Sequence, residues 1–532
     1  MLILQDVTYI HPNKDVLFAE LNLSINKHSK VALIGNNGTG KSTLLKLVAG
    51  KLHPSAGQIK MNAAVYYVPQ LLDAYDASTI AQALGIDDRL QALRKVLQGD
   101  VSEENITRLN NDWAIEERCA AAFAHWQLYN VDLHQQMNTL SGGQKLKVFL
   151  AGIRIHEPDV VLLDEPSNHL DADTRAILYQ YITATNHTLL VVSHDRVLLD
   201  LLNTVFELSH TGITSYGGNY DFYEEQKLIE NKALHQDLKN KEKTLRKAKE
   251  IERETLERQN KLDARGKKKQ EKAGLPTISM KTFKNNAEKS TSRIKDMHQE
   301  KISTISRDLN QLRLVLPSKD EMKINFDDSA LHSGKILITA VDINYVYSKT
   351  LLWKQALNIQ VRSGERIVIK GQNGSGKTTL LKILLGELEP RYGRIERTSL
   401  HAMYIDQHYS IINNAYTVYE HAQLFNSGDL QEHEVKICLN RFLFPSACWD
   451  KSCKNLSGGE KMRLILCMLT ISNQSPDIIV LDEPTNNLDI QNTKILTTAI
   501  NEYKGTLLVI SHDEYFLKQV GVERVIQIAY ES

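Results

Sequence analysis

The 532-residue sequence predicts an α/β protein built twice over: two largely parallel sheets with helices on their faces, joined by a long helical hairpin linker. Three observations point there. Short β-branched runs alternate with apolar-periodic helical runs. Four motif-bearing segments recur in the same order. Between the two copies the composition turns strongly basic.

The alternation comes first. VALIG and RIVIK feed Gly-rich turns, which open into STLLKLVAG and TTLLKILLG. VVLLD, TLLVVS, IIVLD and TLLVIS are bounded apolar runs, the pattern of strands covered on both faces. Strand and helix in alternation imply a parallel sheet. The duplication is read from the spacing. GNNGTGKST begins at Gly35 and GQNGSGKTT at Gly371, an offset of 336. LSGGQK and LSGGEK begin at Leu140 and Leu456, an offset of 316. VVLLDEPSNHLD and IIVLDEPTNNLD end at Asp171 and Asp489, and TLLVVSHD and TLLVISHD end at Asp195 and Asp513, both at 318. From Gln70 to Ser141 is 71 positions and from Gln407 to Ser457 is 50, so the first copy carries 21 extra residues in a polar, helix-like stretch around 87–111. The expected domains are 1–214, a linker 215–333, and 334–532.

The linker differs in kind. From Lys227 to Arg313 there are 24 basic and 13 acidic residues, an excess of eleven positive charges, and the rest of the chain carries the matching negative excess. One helical run is expected from Tyr220 to about Arg265. A second ends in the seam Ile302, Ile305, Leu309, Leu312 and Leu316, with Pro317 as its stop. Gly266, Gly274 and Pro276 are expected to break the basic tip between them. Such a charge run is either a solvated helix face or a surface for a polyanion.

Composition sets outer limits. Charged residues are 24% and balanced, so a uniformly basic protein is excluded. The longest apolar runs are too short to span a bilayer. MLILQDVTYI has neither a basic start nor a small-residue cleavage site, so no secretory signal is expected and a cytoplasmic location is. The five cysteines form no CxxC pair, which favours reduced thiols over disulfides or zinc.

GNNGTGKS and GQNGSGKT have the spacing of phosphate-binding loops, each after a strand and before a helix. Glycines let backbone N–H groups turn inward on phosphate, and the helix N-terminus adds partial positive charge. The candidate nucleotide residues are Gly35, Asn36, Asn37, Gly38, Thr39, Gly40, Lys41, Ser42 and Thr43, and Gly371, Gln372, Asn373, Gly374, Ser375, Gly376, Lys377, Thr378 and Thr379. Lys41 and Lys377 would reach the β- and γ-phosphates of ATP. Ser42 and Thr378 would offer a hydroxyl to Mg²⁺. Asp164 and Asp482, at strand ends, would hold the same cation. Glu165 and Glu483, next in the chain, could polarise an attacking water. His194 and His512 read as γ-phosphate sensors. Gln70 and Gln407 could touch both the metal and the water. Ser141 and Ser457 are expected to cap helices, with Gly142, Gly143, Gly458 and Gly459 letting an anion approach the backbone. Nothing within one domain needs this second phosphate site, but a facing domain does.

Together these motifs resemble the ATP-binding cassette superfamily across both repeats. The resemblance implies P-loop NTPase domains paired head to tail within one chain, hence a monomer. Each ATP would be clamped between one copy's phosphate loop and the other copy's LSGGQ-type signature, with Asp171 and Asp489 as D-loop residues. It also implies that both sites hydrolyse ATP. An adenine-stacking aromatic falls at Tyr347 in the second copy. The first copy has His11 there, with Tyr9 nearby, so a different base contact is expected. Ser167 stands where a Thr is usual.

Two cassettes, no membrane segment and a long charged linker, entered through GGNYDFYEEQK, resemble the ABC-F class. That class binds the ribosome at the tRNA exit site and extends its linker toward the P-site tRNA and rRNA of the peptidyl transferase centre. Its members regulate translation or protect the ribosome from antibiotics. The resemblance implies a short arm in the first copy and no C-terminal coiled coil. Two other readings stay open: a transport ATPase serving a separate membrane subunit, and a nucleic-acid-associated ATPase outside translation.

Overall fold

In the computed structural model, residues 1–272, 292–312 and 334–528 are described, apart from positions 169, 210, 211, 294, 311, 348, 349, 429, 473, 474 and 487. They divide into two compact units, 1–221 with 322–532, and 222–321.

The first unit holds both copies. In the first, a six-stranded sheet runs in the order Val65–Val68, Val160–Asp164, Thr188–Val192, Lys30–Ile34, Thr204–Ser209, Gly212–Tyr216. All neighbours are parallel except the last pair. The second copy repeats this with five parallel strands: Ala402–Ile405, Ile478–Asp482, Thr506–Ile510, Arg366–Lys370 and Arg524–Gln527. Val160–Asp164, Thr188–Val192 and their counterparts are buried at every position, which is why they are continuous apolar runs. Each copy adds a three-stranded antiparallel sheet, centred on Leu2–Ile10 and on Ile336–Asn344.

Helices Lys41–Val48 and Lys377–Leu385 follow the central strands, so both Gly-rich loops lie at the carboxyl end of a parallel sheet. Open α/β sheets place ligands there. The extra length of the first copy contains helices Asp87–Leu97 and Glu103–Leu109, packed through Leu90, Leu93 and Leu109. Asp112 receives Arg118, and Arg89 lies 3.5 Å from the same carboxylate.

The second unit contains most of helix Tyr220–Lys272, 53 residues, which at 1.5 Å each is about 80 Å. A second helical stretch lies within 292–312, and Lys241 donates to Asp308 across the pair at 3.0 Å. Gly266 was expected as a breaker, yet the backbone stays helical through Lys272. One glycine costs a helix only about 1 kcal/mol, and the Lys- and Glu-rich flanks are good helix formers. Gly274, Pro276, Leu316 and Pro317 lie outside the described residues.

Candidate functional site

Two clefts lie where the copies face each other, and each draws residues from both. The first, about 420 Å³, is lined by Asn37, Gly38, Gly40, Lys41, Ser42, Thr43, Gln70, Asp164, Glu165 and His194 of the first copy, with Ser457, Thr485 and Leu488 of the second. The second, about 510 Å³, is lined by Asn373, Gly374, Gly376, Lys377, Thr378, Thr379, Gln407, Asp482, Glu483 and His512, with Ser141, Gly142, Gly143, Leu170 and Arg175 of the first copy. His11 lines the first cleft and Tyr347 the second.

The loops reach this geometry through glycine. Gly40 and Gly376 have φ of 97° and 88°, where a side chain is strained, and both cap the following helix. A Cβ on Gly40 would meet Leu17 Cδ2 at 2.8 Å, and one on Gly376 would meet Leu352 Cδ2 at 2.6 Å. Lys41 Nζ donates to the carbonyls of Gly35 (2.7 Å) and Asn36 (3.1 Å). Lys377 repeats this with Gly371 (2.8 Å) and Gln372 (3.0 Å). Gly35, Asn36, Gly371 and Gln372 thus hold the lysines through their carbonyls, and Thr39 Oγ1 donates to Asn36 O at 2.9 Å within the first loop. Ser375 is buried, and its carbonyl accepts from Trp353 Nε1 at 2.9 Å.

The carboxylates form matched pairs. Ser42 Oγ donates to Asp164 Oδ1, and Thr378 Oγ1 to Asp482 Oδ2, each at 3.0 Å. Tyr67 and Tyr404 donate to the same aspartates at 3.1 and 3.0 Å. These phenols were missed from sequence, although YYVPQ and MYIDQ place them three residues before Gln70 and Gln407. Glu165 and Glu483 bend into left-handed backbone, φ 52° and 50°. Their amides are held by Val192 O and Ile510 O, each at 2.8 Å. Such strain costs about 1–3 kcal/mol per residue and clusters at functional sites.

Each glutamate faces a histidine. His194 Nε2 lies 3.3 Å from Glu165 Oε1, and His512 Nε2 lies 3.5 Å from Glu483 Oε1, neither aligned as a hydrogen bond. Glu165 Oε1 and His512 Nε2 are buried without a hydrogen-bond partner among the described residues. Burial pushes the Glu483 carboxyl up to about 7 against the opposing charges of Arg175 and Lys377. Burial, then Lys377 and Arg175, push His512 down to about 4. Burial moves Glu165 up and His194 down in the same way. Near neutral pH both histidines are therefore neutral imidazoles, and each glutamate holds a proton far more readily than an exposed carboxyl does.

Ser141 and Ser457 are N-caps of Gly142–His156 and Gly458–Ile471, in capping boxes with Gln144 and Glu460. The two signatures differ in one respect. Gly142 and Gly143 line the second cleft, but only Ser457 of its trio lines the first. A Cβ on Gly459 would meet Asn492 Nδ2 at 2.3 Å, so that glycine serves helix packing. Asp171 and Asp489 cap the helices Ala172–Ala184 and Ile490–Glu502. Asp489 Oδ2 also accepts from the amide of Asn37 in the facing loop at 3.2 Å. Gln372 Nε2 donates to Asp173 at 3.0 Å on the other side. Arg196 lies 4.0 Å over the Tyr515 ring, a further contact between the copies.

Buried hydroxyl–carboxylate pairs, lysines anchored in glycine loops and unpartnered polar atoms suit a phosphate-bearing ligand with a hard cation. The family model described as ABC transporter matches residues 18–168 and 354–486. A putative ATP-binding protein YdiF of Bacillus subtilis is 30% identical over 97% of this chain and 78% of its own. ABC transporter F family member 5 of Arabidopsis thaliana is 28% identical over 96% of this chain and 72% of its own. Among solved structures, a chain from the complex of archaeal ribosomal stalk protein aP1 with archaeal ribosome recycling factor aABCE1 matches with TM-score 0.60 and 21% identity, over 99% of this chain and 88% of that one. The chain therefore belongs to the ABC transporter family, as an ATP hydrolase with two cassettes in one polypeptide and relatives of the F type.

Proposed function

We propose that this ATPase acts on the ribosome in the cytoplasm as a monomer, as a translation factor or as a factor that protects the ribosome from antibiotics. Its two ATP molecules hold the cassettes together, and their hydrolysis releases them.

Lys41 and Lys377, with the amides of their loops, bind the β- and γ-phosphates. Ser141, Gly142 and Gly143 close on the nucleotide at Lys377; Ser457 and Gly458 close on the one at Lys41, beside Gly459, which packs the signature helix against Asn492. Tyr347 stacks on adenine at the second site, and His11 takes that place at the first. Ser42, Asp164 and Gln70, and Thr378, Asp482 and Gln407, would hold Mg²⁺. That cation supplies neutralisation of phosphate charge and favours the carboxylate form of its neighbours. Glu165 and Glu483 orient a water for in-line attack and accept its proton. His194 and His512 donate toward the γ-phosphate. Glu165 Oε1 and His512 Nε2 are buried with no hydrogen-bond partner among the described residues, which supports these roles.

The observation that carries the ribosomal reading is the excess of eleven positive charges from Lys227 to Arg313, between the cassettes. A paired ATPase gains from such a segment when its target is a polyanion. Among the described residues no helix is long and apolar enough to cross a membrane. The test uses Glu165→Gln with Glu483→Gln, which binds ATP without turning it over. With ATP this variant should sediment with ribosomes at low salt and be released as salt rises, because phosphate contacts exchange with counterions. A double variant that stays free of ribosomes at low salt contradicts the proposal.

A further inference from the structure

Arg175 lies in the helix that follows Asp171 in the first copy, yet its side chain lines the second cleft with Lys377, Glu483 and His512. It is 9% exposed. Its Nε donates to Leu170 O at 3.2 Å, within its own copy. Its Nη1 donates to the carbonyl of His512, in the other copy, at 3.2 Å. Asp195 lies 4.0 Å from the same nitrogen and is itself fixed by Tyr179, whose hydroxyl donates to it at 2.5 Å. The guanidinium is therefore tied at both ends, with its plane set by two carbonyls. A planar fork holds such a geometry and an ammonium does not.

The matching place in the second copy is occupied differently. Counting from Asp171 and Asp489, position 175 corresponds to Thr493. Thr493 Oγ1 donates to Asp489 O on its own helix at 3.0 Å. The first cleft thus receives no cation from this position, whereas the second does. The carbonyl that Arg175 holds belongs to the residue whose Nε2 is buried without a partner among the described residues. Fixing that backbone fixes where the imidazole points.

We infer that Arg175 is a positioning residue for ATP hydrolysis at the second site, contributed by the opposite cassette, and that it makes the two sites unequal in turnover. The inference rests on the second cleft being an ATP site. It places an electrostatic clamp at one site that duplication of the motifs alone would not produce. Because Arg175 acts through the His512 backbone, its loss reduces the rate of the bound complex more than the affinity for ATP.

The test isolates each site in the full chain. Glu165→Gln leaves the second site to turn over ATP, and Glu483→Gln leaves the first. Arg175→Gln is added to each. At the second site kcat should fall about tenfold or more, as expected for a lost charged hydrogen bond, with KM changed by about twofold at most. At the first site the fall should be several times smaller. Arg175→Lys, whose single ammonium can reach the His512 carbonyl but not hold both carbonyls in one plane, should recover only a small part of the second-site rate; it also provides the comparison if Arg175→Gln does not fold. Equal losses at both sites, or a loss confined to KM, would show a general interface contact and overturn the inference. Retained second-site turnover in Arg175→Gln overturns it too. If Glu165→Gln alone has no ATP turnover beyond that of the double Gln variant, it is the reading of the second cleft as a hydrolytic site that fails.

Discussion

Asp489 does two jobs that substitution can separate. Its Oδ1 accepts the amide of Asn492 at 2.8 Å and so caps the helix Ile490–Glu502. Its Oδ2 accepts the amide of Asn37, in the facing phosphate loop, at 3.2 Å. Both bonds are made by a side chain only 5% exposed. Asp489→Ala removes both. A lost N-cap costs about 1 kcal/mol, and a lost charge-assisted bond about 1.5–3 kcal/mol. Asp489→Asn keeps the cap through its one carbonyl oxygen, because Asn caps as well as Asp, but sets its NH2 against the Asn37 amide, donor against donor, so the bond across the cleft is lost at a cost of about 1.5–3 kcal/mol. If that loss falls on the transition state, first-site turnover drops about tenfold to a hundredfold. The assay is ATP turnover in a Glu483→Gln background, paired with thermal melting. Asp489→Asn should melt like the parent and turn over more slowly. Asp489→Ala should lose both stability and rate. If Asp489→Asn turns over at the parental rate while Asp489→Ala merely melts lower, Asp489 is a helix cap and nothing more.

Two further outcomes follow from the site geometry. Gly40→Ala should weaken ATP binding at the first site, because its φ of 97° strains a side chain and the new Cβ would lie 2.8 Å from Leu17 and 2.9 Å from Phe18; equilibrium binding with the second site disabled by Lys377→Ala checks this, and unaltered affinity would count against it. Glu483 should make the nucleotide-free protein less stable as pH rises. Its folded carboxyl titrates near 7, above the ordinary value of 4.5, so the native state holds a proton that the unfolded chain has lost. Its stabilising contribution is complete below 4.5 and disappears as pH passes 7, so Glu483→Gln should gain in melting temperature relative to the parent between pH 5 and 8. A constant difference across that range would refute the buried neutral carboxyl.

Much of the site could be read from residues alone because its chemistry demands fixed types at fixed spacing. The glycines, Lys41 and Lys377, the strand-end aspartates and the capping serines all fall in that class. What resisted reading depends on which copy a side chain faces. Arg175 carries no signal, since its partner position holds Thr493 and the repeat that exposed the other residues is silent there. Gly459 looked equivalent to Gly143 by motif, but packing against Asn492 gives it another task. Gly266 showed the reverse error: a local breaker was overruled by the helix formers on either side. Tyr67 and Tyr404 were within reach, because they recur in register with the glutamines, yet an aromatic in a strand reads first as core.

The central claim is that each ATP site is shared, so a residue of one cassette should control hydrolysis at the other's loop. Ser457 lines the cleft of Lys41, 416 positions away in the chain, and Ser141 lines the cleft of Lys377. The direct measurement is ATP turnover in the Glu483→Gln background, where the first site alone works, after adding Ser457→Glu or Ser141→Glu. A carboxylate at position 457 should abolish turnover by repelling phosphate, and one at 141 should lower it far less. Turnover lost with Ser141→Glu and kept with Ser457→Glu would mean that each cassette completes its own site.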